Sequence, residues 1–246
     1  MTNPIIKEKK SVIPACDVAT LEELENLVKS VDSVKGIGGY KVGFSLALPY
    51  GLPAVVKAIR KHSKKPIIYD HQKAATDIPD TGVQFAQACA SAGVDAAILF
   101  PQAGPETLKA WIGHCKKVGL KIIVGGEMTH PAYLQKDGGF LCDDAPKRIY
   151  ELAASLGVTD FVVPGNKPDR IRFYKEIIEK AGCAAPVFYS PGLVTQGGDI
   201  TEGAKAAGER WHAIIGRALY GAGDASAMRA AAEKLCAKLV LPSLNQ

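Results

Sequence analysis

PIIYDHQKAATDIPDTGVQFAQACASAGVDAAILFPQAGPETLKAWIGHCKKVGLKIIV, residues 66–124, holds the pattern that decides the fold. A short apolar run at 66–69 leads to a stretch of helical period at 83–92 and then Gly93. A second run at 96–100, a second helical stretch at 106–118, Gly119 and a third run at 121–124 repeat the unit. Short β-branched runs read as buried strands, and longer stretches with apolar positions three and four apart read as amphipathic helices. A glycine directly after each helix is the expected left-handed cap. Strand, helix, strand in succession is how a chain builds a parallel sheet, because the helix returns it to the end where the first strand began.

Working outward, further strands are expected at 11–16, 39–42, 160–163, 186–189 and 213–215, giving eight in all. Helices fall between them at 21–31, 53–62, 145–156 and 169–181, with a last one at 225–239, and Gly157 and Gly182 supply two more caps. Eight alternations with no linker or shift in composition predict one (β/α)8 TIM barrel over residues 1–246, a length close to the ~250 that such barrels use. A doubly wound sheet has fewer strands.

Composition narrows the function. With 47% hydrophobic and 22% charged residues and a mean hydropathy of +0.05, the chain has material for a large core and is not disordered. The net charge of +5 comes without a basic run interleaved with aromatics, so no nucleic-acid partner is expected. No apolar run is long enough for a membrane span, and the opening MTNPIIKEKK has no apolar leader segment. The six cysteines are scattered, with no C-x-x-C and no Cys/His cluster, so reduced thiols, a cytoplasmic location and no metal site are expected.

In a (β/α)8 barrel the chemistry sits at the C-terminal ends of the strands. Asp17 follows strand 1, Lys41 ends strand 2 and Asp70 ends strand 3, with Lys73 and Asp77 in the loop beyond. Lysines and aspartates gathered on one rim perturb each other's protonation, which marks a candidate catalytic cluster. After strand 7, Ser190–Asp199 carries Gly192, Gly197 and Gly198 among few bulky side chains, so its backbone N–H groups can turn toward an anion. Many barrels bind phosphate at the loops after strands 7 and 8; here Gln196 adds an amide donor, and Arg217 after Gly216 at the end of strand 8 adds a guanidinium suited to the same anion.

These motifs resemble the orotidine 5′-monophosphate decarboxylases. The family's strand 3 signature D-x-K-x-x-D-I-P-x-T is matched by Asp70, Lys73, Asp77, Ile78, Pro79 and Thr81, and the likeness runs over roughly residues 11–223. Asp17, Lys41 in YKVGF, EMTHP with Thr129, SPGLVTQGGD and GRALY resemble its other motifs in the same order. The resemblance implies decarboxylation of orotidine 5′-monophosphate (OMP) to UMP in pyrimidine biosynthesis, with no metal or organic cofactor. It implies that Lys73 protonates C6 beside Asp70 in a Lys-Asp-Lys-Asp array completed by Lys41 and Asp77. Asp17 would hold a ribose hydroxyl, Thr129 the pyrimidine edge, and Pro191, Gly192, Gln196, Gly197, Gly216 and Arg217 the phosphate end. Asp77, Ile78 and Thr81 would enter the site of a neighbouring subunit, making the protein a homodimer with shared sites.

One spacing departs from the family. Asp70 and Lys73 are three apart instead of two, and Lys73 and Asp77 four apart instead of three. Side chains three apart on a regular strand face opposite ways, so a bulge or early strand end is expected at 71–75. Two other readings stay open: a magnesium-dependent sugar-phosphate decarboxylase or aldolase of the same superfamily, and a nucleotide-binding barrel without turnover. The first places a glutamate where this chain has Lys41. His71 reads as a packing partner, His130 as a turn former, Glu127 as an organiser of the strand 5 loop, and Trp111 and Trp211 as core residues.

Overall fold

The computed structural model describes residues 4–71 and 74–239. Eight strands, β1 (Lys10–Pro14), β2 (Tyr40–Gly43), β3 (Ile67–Asp70), β4 (Ala96–Leu99), β5 (Lys121–Gly125), β6 (Asp160–Val162), β7 (Val187–Ser190) and β8 (Trp211–Ile215), form one parallel sheet. The order β1-β8-β7-β6-β5-β4-β3-β2 brings the two ends round to meet, and each expected strand is present within a residue or two. The one seam without a ladder lies between β1 and β2, where the bridges Val12–Ile37 and Ala15–Lys41 close the barrel. Its hydrogen bonds run from Val12 N to Gly36 O (2.8 Å), Gly38 N to Val12 O (3.0 Å) and Cys16 N to Lys41 O (2.8 Å).

The helices of the outer layer are α1 (Leu21–Val31), α2 (Phe44–Tyr50), α3 (Leu52–Arg60), α4 (Gly82–Ala92), α5 (Pro105–Lys117), α6 (Ala145–Ser155), α7 (Pro168–Lys180), α8 (Ile200–Ala207), α9 (Arg217–Tyr220) and α10 (Ala225–Ala237). Helix α1 starts on a reciprocal capping box between Thr20 and Glu23. Gly93, Gly119, Gly157 and Gly182 all take positive φ after their helices, as the sequence predicts. Helices α2, α8 and α9 are additions to the expected set, and α2 holds Pro49 inside it.

Two apolar layers result from the two-residue period of the strands. Outward residues such as Val12, Val42, Phe161 and Trp211 pack under the helices with Leu24, Trp111 and Tyr174. Inward residues Ile13, Ile68, Ile98, Ile123, Val162, Val187 and Ile214 fill the barrel, and Ile5 and Ile6 join them. Among them sits a polar layer in which Ser11 Oγ pairs with His212 Nδ1 at 2.8 Å and Tyr189 OH donates to Asp160 Oδ1 at 2.8 Å. Burial pushes the His212 imidazole down to about 3, so the ring is neutral. None of the described helices is long and apolar enough to cross a membrane.

Candidate active site

The side chains that continue the inward rows upward end the apolar fill and line a cavity of ≈ 640 Å³ at the C-terminal mouth of the barrel. Lys41 is an interior residue of β2, which runs on to Gly43, and not its last residue as the sequence suggested. The strand therefore holds its backbone on both sides and the side chain is buried, 4% exposed. Its Nζ stands 3.0 Å from Asp70 Oδ2 and 3.5 Å from Asp17 Oδ1. Burial works against the ammonium, but Asp70 and then Asp17 outweigh it and raise the Lys41 pKa above that of a free lysine. Asp70 ends β3, and Ala75 beyond it takes φ +69°, so the regular strand stops where the spacing requires. Lys73 lies outside the described residues.

Thr129 enters from the loop after β5. Glu127, two residues before it, is buried and ion-paired with Lys167 Nζ and Arg170 Nε, both at 2.8 Å, and it accepts a hydrogen bond from Tyr174 OH. Burial alone would raise this carboxyl, but Lys167, Tyr174 and Arg170 together hold it below the usual glutamate range. Lys167 also reaches Met128 O at 3.3 Å, and Asn166 Nδ2 donates to Thr129 O at 3.1 Å. The strand 5 loop is thus held by the loop between β6 and α7. No sequence motif drew attention to Asn166, Lys167 or Arg170. The one available signal was an Asn-Lys pair after a strand, at the height where rim residues sit.

Across the cavity, the chain after β7 folds back on itself. Gly198 N donates to Gly192 O and Val194 N to Gly198 O, with Gly192 at φ +88° and Gly197 at φ +86°. A Cβ on Gly192 would stand 2.6 Å from Thr129 Cγ2, so the close approach of the two loops requires glycine there. Asp199 then caps α8 through Thr201 N and Glu202 N. Gly216 and Arg217 follow β8 on the same wall. Asp17, Lys41, Asp70, Thr129, Pro191, Gly192, Gln196, Gly216 and Arg217 are brought together around this one cavity, together with Asn166 and Tyr220.

Gly197, Asp77, Ile78 and Thr81 are not in its lining. Asp77 and Ile78 are exposed on the outside of the barrel, where their carbonyls accept from Thr107 Oγ1 (2.8 Å) and Trp111 Nε1 (3.2 Å) of α5. His71 is exposed and pairs with Tyr69 OH beside the Phe85 ring, and His130 meets Tyr133 edge to face. Trp111 and Trp211 are buried.

A (β/α)8 barrel with a carboxylate–ammonium cluster on strands 1 to 3, facing a glycine loop and an arginine after strands 7 and 8, carries its polar groups on the face where barrel enzymes carry their chemistry. A sequence model described as the Orotidine 5'-phosphate decarboxylase / HUMPS family matches residues 10–233, and the chain belongs to that family. It is 32% identical over 233 residues to the orotidine 5'-phosphate decarboxylase of Methanosarcina barkeri, covering 94% of this chain and 96% of that one. It is 34% identical over 197 residues to that of Methanocaldococcus jannaschii, covering 80% and 85%. A crystal structure of orotidine 5'-monophosphate decarboxylase from M. jannaschii complexed with the inhibitor BMP superposes with a TM-score of 0.81 at 28% identity, covering 95% of this chain and 100% of that one.

Proposed function

We propose that this chain decarboxylates orotidine 5′-monophosphate to UMP, a step of pyrimidine nucleotide synthesis, as one barrel unit of a cytoplasmic homodimer. The observation that carries the reading is Lys41, buried between Asp70 and Asp17 at the mouth of a family barrel and facing the Gln196 loop and Arg217 across one cavity.

Loss of CO2 from C6 leaves an electron pair in the plane of the ring, outside its π system, so the barrier is lowered by placed charges and positioning and not by delocalisation. Asp70 stands beside the substrate carboxylate, and Lys73 delivers the proton to C6. Lys41 holds the Asp70 carboxylate in place, and with Asp17 it meets the ribose hydroxyls. Thr129 takes the pyrimidine edge. Gly216, Arg217 and Gln196, with Pro191, Gly192 and Gly197, grip the phosphate, and that remote grip supplies binding energy for closing the loop over the reacting carbon. None of these steps calls for a metal or an organic cofactor. A magnesium-dependent sugar-phosphate reaction is disfavoured because the Lys41 ammonium already occupies the space between the two carboxylates.

The shared-site dimer rests on the family resemblance and on where exposed apolar side chains lie. Phe44, Leu48 and Tyr50 of α2, with Ile78 and Val83, stand on the elements that follow β2 and β3. Asp77, Ile78 and Thr81 belong to that face and would complete the neighbour's array. The test is the fall in OMP absorbance with purified, EDTA-treated protein, with Lys73→Ala as control. Turnover that Lys73→Ala abolishes is the expected result. Binding of UMP without turnover of OMP would instead make the chain a silent nucleotide-binding barrel, and activity that returns only with Mg²⁺ would favour the sugar-phosphate reaction.

A further inference from the structure

Asn166 has one half of its carboxamide engaged and the other half idle. Its Nδ2 donates to Thr129 O at 3.1 Å, while its Oδ1 is buried and has no hydrogen-bond partner. A buried carbonyl oxygen left unpaired costs about 1–3 kcal/mol, so such an atom at a site calls for a donor that arrives in another state. The residue itself is held in place: Lys167, next to it, is tied to Glu127 and Met128 O, and Gly165 N donates to Pro191 O at 2.8 Å. The idle oxygen faces the glycine loop, since a Cβ on Gly192 would lie 3.3 Å from it.

The loop carries the complementary group. Gln196 lines the same cavity, is exposed and, among the described residues, makes no hydrogen bond through its side-chain amide. Two residues before it, Val194 takes φ +60°, a conformation that a β-branched residue holds only under strain. The loop tip therefore rests in a costly conformation while a buried acceptor and an exposed donor line one cavity.

We propose that Asn166 is a positioning residue that latches the glycine loop: when the phosphorylated ligand draws the loop in, the Gln196 amide donates to Asn166 Oδ1. Asn166 then links the pyrimidine side of the cavity, through Thr129 O, to the phosphate side. This rests on the decarboxylase reading, and it assigns to Asn166 a role that involves no contact with the reacting atoms.

A double-mutant cycle on kcat/KM for OMP tests it. Asn166→Ala is expected to cost about tenfold in the wild-type background, the worth of one hydrogen bond. In the Gln196→Ala background the same substitution is expected to cost less than twofold. A tenfold cost in both backgrounds, or none in the wild type, overturns the latch. A merely structural Asn166 would lose activity equally in both backgrounds. Failure of the wild-type chain to turn over OMP would instead sink the decarboxylase reading, so the two failures are distinct.

Discussion

Lys41 is a single buried charge held between two carboxylates at the mouth of the barrel. Removing it leaves two carboxylates facing each other at the mouth, with Asp70 only 15% exposed at its side chain. Lys41→Met is expected to lower kcat/KM by roughly 10²-fold or more, as loss of a preorganised charge does. It should also lower Tm, because partners of a buried ion pair are costly to strand. Enzyme assays and a thermal melt on the same preparation check both. Since the folded pKa of Lys41 is raised, its stabilising contribution is fully present below about 10.5 and is lost only as pH climbs through the higher folded value. His212 has the opposite sign in acid. Its folded pKa is about 3 against 6.5 unfolded, so folding excludes its proton, and stability is lost as pH falls from about 6.5 toward 3. That loss is about 1.4 kcal/mol per pH unit for one proton. Urea midpoints between pH 7 and 4 are expected to fall about one proton less steeply in His212→Gln than in the wild type.

At the scale of the element, the eight strands were legible because four or five apolar residues between helical stretches admit little else, and their ends shifted by only a residue or two. Helix α2 was not, because FSLALPY has apolar residues on more than one face and a proline within it. Helix α8 was hidden behind a glycine-rich run that reads as loop until Asp199 is recognised as its cap. The rim clusters on strands 1, 2, 3, 5, 7 and 8 were visible as polar residues directly after apolar runs. The β6–α7 contribution was not, since Asn166, Lys167 and, from the first turn of α7, Arg170 reach Glu127 and Thr129 through contacts between segments distant in sequence. Strand β5 makes its own prediction. A Cβ on Gly125 would lie 2.2 Å from Phe100 Cζ inside the barrel. Gly125→Ala should therefore displace the Phe100 ring at the cavity floor and cost about 1–3 kcal/mol of stability, with a raised KM for OMP. An unaltered urea midpoint and KM would refute that packing argument.

For the whole molecule, the division of the candidate array is the decisive feature. Asp17, Lys41 and Asp70 face the cavity of their own barrel, whereas Asp77 stands outside it. If Asp77 serves a neighbour, homodimers of Lys73→Ala and of Asp77→Ala are each inactive, but mixing them creates heterodimers with one intact site. Equal mixing after dissociation is expected to restore roughly a quarter of wild-type activity, from random pairing of two chains. No restoration, with dimers present by size, would place Asp77 in its own chain's chemistry or in none.

The β1/β2 seam gives the barrel one line along which it can breathe. Three backbone hydrogen bonds cross it below and at the level of the site, and the Lys41 ammonium reaching Asp17 is a fourth tie at its upper end. Amide protons of Val12, Gly38 and Cys16 should thus exchange with solvent sooner than those of the other strand junctions. A nucleotide whose ribose bridges Asp17 and Lys41 would slow them, so occupancy of the mouth would be readable as a protected stripe running down one side of the barrel.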